Sequence, residues 1–380
     1  MRSWLAVSAI LPALGCSPFH PSDAGTIDAA VDASIDVPLI PPPDAQQCFG
    51  SILSICFNAG GDVPTTPTVL TADISTDDPL VCNQHIHQNP GDCVVTGMGI
   101  TIAAGTTIRA YGSKPLVLLS TTTVDLAGTL DASSTSAAVA HPTGPGVIPN
   151  PACAVGAIAA VDNSGGFGGS FGGKGGNGYM LESTLPTAGP AIAFPSLRAG
   201  CPGGNGSTTT ADTTAGAGGN GGGAVAIIGT SIALSGIINA SGAFGFGGPE
   251  AKSGGGGGGS GGMIVLDTPS ITVAGAAYAI YANGGGGGQG GASSSGNSGN
   301  GGPGENGGES HGPLLPGTGG TTGVVGGPGG AGSAGTRRDG VSATVAPVSA
   351  NGGGGGGGGG EGFIHAPGVT LNISPASTDP

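Results

Sequence analysis

Five stretches of this chain repeat one short pattern of alternating apolar residues, and that repetition constrains the fold more than any other feature. The fullest copy is Gly221–Gly242, GGGAVAIIGTSIALSGIINASG, with apolar runs at Ala224–Ile228, Ser231–Leu234 and Ile237–Ala240. In Met263–Gly284, Ile271, Val273, Ile280 and Ala282 stand where Ile232, Leu234, Ile238 and Ala240 stood. Leu116–Ala132 supplies Val124, Leu126, Leu130 and Ala132 at the same places. Gly362–Ser374 repeats the first half with Val369, Leu371 and Ile373, and Ile100–Gly112 is a weaker copy.

Alternation within each run buries one side of a strand. The runs are too short to make a core as isolated hairpins, so each unit is stabilised by stacking on its neighbours. Val, Ile and Thr favour strands, and Gly128, Gly236 and Gly275 mark corresponding bends. The pattern therefore predicts an all-β fold, a right-handed parallel β-helix or solenoid lined by Ile, Leu and Val. An irregular antiparallel sandwich is the alternative, because short strands do not fix strand direction. After the first 15 residues no stretch keeps a helical period free of Gly or Pro.

The copies are interrupted by glycine-rich inserts at 133–223, 243–262 and 285–361. Glycine numbers 86 of 380 residues, about three times the usual share. Each insert leaves after an Ile/Leu-x-Ala strand and returns before the next apolar run, which places all three at one corner of the stacked coils. Their glycines recur every third residue: Gly323, Gly326, Gly329, Gly332 and Gly335; Gly296, Gly299 and Gly302; Gly216, Gly219 and Gly222. Gly165 with Gly168, then Gly172, Gly175 and Gly178, do the same around one slip. A polyproline II helix has three residues per turn, so such spacing leaves one face bare and lets backbones meet. A packed layer of polyproline II segments along one side is the expectation.

The organisation in chain order begins with a targeting segment at 1–16. Arg2 gives its positive end, Trp4–Leu14 an apolar run too short to span a bilayer, and Ala13-Leu14-Gly15-Cys16 its close. That close resembles the lipobox of bacterial lipoproteins, with Ala13 where Leu is usual. The resemblance implies lipidation at Cys16, and Ser17 after it implies an outer-membrane destination. Residues 17–47 read as a disordered tether, with Asp23, Asp28, Asp32, Asp36 and Asp44 among Ala and Pro. Residues 48–96 read as a cysteine-containing entry cap, and 97–380 as the solenoid with its inserts. Export makes disulfides expected. The short spacings favour Cys48–Cys56 and Cys82–Cys93, leaving Cys153 with Cys201, although six cysteines permit 15 pairings.

A net charge of −14, with eight scattered Lys and Arg, argues against nucleic acid as a partner. The paired acids Asp77 and Asp78, with Asp125 and Asp131 on outward strand positions, are the candidate carboxylates for cleaving a polysaccharide. They do not line up between coils, where Ala233 and Thr272 follow Asp125, and Asn239 and Tyr281 follow Asp131. Arg109 and Lys114 are the basic residues nearest any strand. His85 and His87, with Asp92 nearby, form a weak candidate metal pair lacking an evident third ligand. The inserts hold too little Asp for a calcium repeat, and no Gly-Lys-Ser/Thr follows a strand to cradle a phosphate. The reading is of no cofactor and no catalytic constellation.

With its lipobox-like start, Asp/Ala/Pro tether and I-x-L-x-G-x-I-x-A-x-G-G coils broken by glycine strings, the chain resembles the Gly-rich, PE-PGRS-like surface lipoproteins of bacteria. That resemblance covers nearly the whole chain and is compositional. It implies a cell-envelope protein anchored in the membrane through its lipid, with a structural or adhesive role toward a glycan or another surface protein. It carries over no catalytic residue. A polysaccharide lyase or hydrolase on a β-helix is the alternative.

Overall fold

The computed structural model describes residues 47–57, 63–82, 86–87, 91–179, 185–193, 196–209, 214–275, 278–291, 305–321, 326–344, 352–366 and 373–374. All belong to one unit, Pro43–Pro380. Cys16, the tether residues 17–46, His85 and the triplet Gly296, Gly299 and Gly302 lie outside the described residues.

The first strands are β1 (Gln47–Phe49), β2 (Ile55–Phe57), β3 (Thr68–Val69), β4 (Ile74–Ser75) and β5 (Ile86–His87). Three triplets follow. They are β6 (Cys93–Gly97), β7 (Ile100–Ile102) and β8 (Thr107–Tyr111); β9 (Leu116–Ser120), β10 (Thr123–Leu126) and β11 (Thr129–Asp131); and β12 (Ala224–Ile228), β13 (Ser231–Leu234) and β14 (Ile237–Asn239). The rest are β15 (Met263–Asp267), β16 (Ile271–Val273), β17 (Ala279–Tyr281), β18 (Phe363–His365) and β19 (Ile373–Ser374). Among the described residues the sole helical element is a short 3-10 turn, Pro151–Ala154.

Successive strands enter three sheets in rotation. Sheet 1 has the order β18-β15-β12-β9-β6, sheet 2 β16-β13-β10-β7-β3 and sheet 3 β19-β17-β14-β11-β8-β4. Every pairing within them is parallel, which rules out the antiparallel sandwich and is the arrangement a solenoid requires. Equivalent residues stack in register. Ile100, Val124 and Ile232 form one ladder, and Ile108, Leu130, Ile238 and Ile280 another. Their side chains join one continuous core, nearly all fully buried. Each Ile or Leu so buried contributes about 1.5–3 kcal/mol. The ladder frays at one place the pattern did not foresee. Val273 pairs with Leu234, yet it is 37% exposed; β16 is the last strand of its sheet among the described residues, and Val369 and Leu371, expected to continue the ladder, lie outside them.

Sheet 1 departs from alternation: Leu116–Ser120, Ala224–Ile228 and Met263–Asp267 are buried at every position. A second core covers its outer face, where Val94, Val117, Ala226 and Val265 meet Ile55, Phe57, Phe171 and Leu197. The antiparallel hairpin of β1 and β2 is part of that cover. It is held by Asp267, whose carboxylate accepts from the backbone N–H groups of Ser51, Ile52 and Leu53 and from the Ser51 hydroxyl, at 2.7–3.1 Å. The disulfides are Cys48–Cys56, Cys82–Cys93 and Cys153–Cys201, the pairs the spacing favoured.

The three inserts connect β11 to β12, β14 to β15 and β17 to β18, so all leave sheet 3 and return to sheet 1. Their backbones bond to one another with a period of three. Gly255, Gly258 and Gly261 donate to Gly354, Gly357 and Gly360; Gly254, Gly257 and Ser260 donate to Ser207, Gly204 and Cys201. Gly256, Gly259 and Gly262 donate to Phe246, Ala243 and Ala240. The same segment accepts from Gly216, Gly219 and Gly222, from Gly166 and Gly169, and from Gly285 and Gly288. Residues 254–262 thus run through the middle of six neighbours. Segments 353–360 and 284–291 are similarly surrounded. Gly335 departs from the expected period: at φ +62° it sits in a turn beside the Ala334–Arg337 bridge.

Candidate functional site

On sheet 3 the alternation that turns Ile108, Leu130, Ile238 and Ile280 inward turns Arg109, Asp131, Asn239 and Tyr281 outward. Parallel register stacks these four polar side chains as one row, about 4.8 Å apart along the sheet. The row forms the floor of a concavity of about 350 Å³. Ser133–Thr135 of the first insert and Glu309, Ser310 and His311 of the third form its walls.

The floor is rigidly bonded. Asp131 accepts from Arg109 Nη1 at 2.7 Å, from the Ser133 N–H at 3.1 Å and hydroxyl at 2.6 Å, and from Asn239 Nδ2 at 3.2 Å. Arg109 also donates to the carbonyls of His141 and Ser133, and the His141 ring stacks on Tyr111 at 3.7 Å. Asn239 Oδ1 accepts from the Ser241 N–H. On the wall, Glu309 Oε1 accepts from the Ser136 N–H at 3.0 Å, and Ser310 Oγ accepts from Asn283 at 2.9 Å. Burial, and then the nearby Asp131 charge, raise the Tyr281 phenol above its ordinary value. Tyr281 therefore presents a protonated hydroxyl, a hydrogen-bond donor at neutral pH.

Of the four candidate carboxylates, Asp131 alone lines this trough. Asp77 caps Ser113, accepting its N–H and hydroxyl, and Asp78 accepts the Leu80 N–H within its own turn. Asp125 stands on sheet 2 between Thr101 and Ala233. The carboxyl that does join Asp131 is Glu309, which no sequence signal distinguished from other residues of a glycine-rich insert. Its position follows from how that insert packs. Asp131 accepts four hydrogen bonds, about as many as a carboxylate's lone pairs take. Three of these bonds fall on Oδ1 and the Arg109 bond on Oδ2, so the carboxylate is fixed in place and holds Arg109 across the row.

The histidine pair gives less. His87 lies in β5, paired with Cys56, and burial pushes the Asp92 carboxyl up to about 6. No group of three His, Cys, Asp or Glu able to hold a metal occurs among the described residues. A second concavity, of about 570 Å³, lies beside the Asp267 latch and is lined by Phe49, Ile228, Thr230 and Pro269. No protein-family model matches the chain, and neither a curated protein nor a solved structure matches it.

Proposed function

We propose that this chain is an exported, lipid-anchored scaffold of the cell envelope that presents the sheet 3 trough to a glycan or to another surface protein. We read its body as a right-handed parallel β-helix, following the general bias of parallel crossovers. The inserts form a polyproline II bundle at one corner, supported by the three-residue period of their hydrogen bonds. Export is supported by the three disulfides. Anchoring at Cys16 rests on the lipobox-like Ala13–Cys16, and outer-membrane residence on Ser17 after it.

One observation carries the ligand-binding reading: a floor fixed by the hydrogen bonds of Arg109, Asp131 and Asn239, with polar atoms of the trough left unbonded beside it. The Tyr281 hydroxyl and Glu309 Oε2 bond to no described residue, while Asp131, Asn239 and Arg109 are committed to one another. Hydroxyl-rich ligands are recognised by such mixed donors and acceptors, preorganised so that little ordering cost is left to binding. A glycan array probed with the full chain tests this. Tyr281→Phe should weaken binding about three- to tenfold, the loss of one hydrogen bond. Undiminished binding by that variant would move the ligand elsewhere.

Glu309 beside Asp131 favours a second reading, a polysaccharide-cleaving enzyme, because two carboxyls now share one groove. Release of reducing ends by the wild type, abolished in Glu309→Gln, would establish it. Binding without any release supports the adhesive scaffold.

A further inference from the structure

The Cys153–Cys201 disulfide has a cation at its sulfurs. Arg198 Nη2 lies 2.9 Å from Cys153 Sγ and 3.3 Å from Cys201 Sγ. Its Nε donates to the Ala199 carbonyl at 3.3 Å, and its guanidinium sits 5.1 Å from the centre of the Phe171 ring. No carboxylate among the described residues pairs with it. Phe171 is fully buried and meets Phe363 edge-on, so the arginine is packed from below. Burial lowers the Arg198 pKa, the mark of a partly desolvated charge without a counter-ion. Among the described residues no cation bonds to the sulfurs of the other two disulfides. Ser54 Oγ lies 3.8 Å from Cys56 Sγ, and the Thr76 carbonyl 3.3 Å from Cys82 Sγ.

A neutral disulfide gains little from a guanidinium, since its sulfurs are weak acceptors. A thiolate gains much, because a nearby cation lowers thiol pKa and stabilises the reduced state. We propose that Cys153–Cys201 is a thiol–disulfide exchange site whose reduced form Arg198 stabilises, taking small or protein dithiols as its substrate class. The two sulfurs are unequal. Cys153 is half-buried, whereas Cys201 is fully buried and its backbone is bonded to Ser260 at both N and O. An incoming thiolate attacks Cys153 Sγ; the S–S bond breaks, and Cys201 leaves as a thiolate facing Arg198. The second thiol of the dithiol, as its thiolate, then displaces Cys153. The protein has gained two electrons as two thiols or thiolates, and the dithiol has become a disulfide. This site is independent of the sheet 3 trough.

The test equilibrates the full chain with mixtures of reduced and oxidised dithiothreitol and reads each cysteine by alkylation and mass spectrometry. Cys153 and Cys201 should open at a less reducing ratio than the other two pairs. Arg198→Met should shift that ratio about tenfold toward stronger reduction, equivalent to about 30 mV for two electrons, with Cys48–Cys56 and Cys82–Cys93 unmoved. Arg198→Lys, which keeps the charge, should recover part of the shift. Phe171→Leu, which loosens the packing and leaves the charge, should not reproduce it. In the reduced wild type, Cys153, the half-buried thiol nearest the guanidinium, should alkylate at a lower pH than an ordinary thiol, and Arg198→Met should move that profile upward. If Arg198→Met does not fold, the wild-type alkylation profile and Arg198→Lys decide. Opening at the same ratio as the other pairs, or an ordinary thiol profile in the wild type, would overturn the proposal.

Discussion

A Cβ placed on Gly257 would lie 1.9 Å from the carbonyl oxygen of Phe167, deep inside van der Waals contact. The residues on either side are no freer. Cβ atoms on Gly254, Gly255, Gly256, Gly258 and Gly259 would meet the backbones of Ser164, Gly288, Ala217, Gly285 and Asn220 at 1.8–2.2 Å. A segment with six backbone neighbours has no face on which a side chain fits, which is why this run is glycine throughout.

Gly257→Ala should therefore destabilise the protein by about 1–3 kcal/mol or more, the cost of forcing atoms into a filled space. Gly99→Ala is the control, because its Cβ would find nothing nearer than 3.5 Å. It should change stability by less than about 0.5 kcal/mol. Chemical denaturation of the two variants makes the comparison.

In the core between the parallel sheets, Leu234 is 1% exposed and stacks in register on Leu126. Leu234→Ala should cost about 2–5 kcal/mol, while Ala233→Ser, on the half-buried opposite side of the same strand, should cost under about 0.5 kcal/mol. Denaturant midpoints compare them, and equal losses would contradict the inward assignment of Leu234.

Asp267 supplies a pH signature. Burial raises its pKa, but the bonds from Ser51, Ile52 and Leu53 outweigh this and hold it below the usual 3.8. A depressed carboxyl contributes stability above its unfolded pKa and loses it as pH falls through the folded value. Asp267→Asn should cost about 1.5–3 kcal/mol at pH 7. Thermal unfolding should show that gap closing at pH values below about 3.8.

Much of this architecture was legible in the sequence, for physical reasons that also mark the limit. Ile232-x-Leu234 and Ile238-x-Ala240 alternate because one strand face is buried, and their copies fall in register with Leu126 and Leu130. The triplet Gly216, Gly219 and Gly222 is equally readable: Cβ atoms there would meet the carbonyls of Phe246, Ala243 and Ala240, successive levels of one neighbour. Unbroken runs such as Gly254–Gly259 signal a segment enclosed on every side, a distinction that spacing by threes does not capture. The outer cover of sheet 1 was foreshadowed by continuous runs such as AVAII, which lack the polar alternation of a solvated face. The trough was half legible. Asp131, Asn239 and Tyr281 are placed by register, whereas Glu309 and His311 reach it through an insert whose path depends on glycine packing far away in sequence.

The proposed lipid anchor at Cys16 carries its own prediction. Radiolabelled palmitate should enter the mature protein, and Cys16→Ser should release it from membranes. A wild-type protein found free in the soluble fraction would contradict the anchored placement.

Amide hydrogen exchange across Gly254–Gly259 tests the central claim, an ordered glycine bundle on a stacked β core. Each of these six amides donates to a different neighbouring backbone oxygen, from Ser207 to Ala243. Slow exchange is expected through the whole run, comparable with strands such as Ala224–Ile228 and opening only in large cooperative steps. Exchange at the random-coil rate across Gly254–Gly259, with the strands still protected, would contradict it.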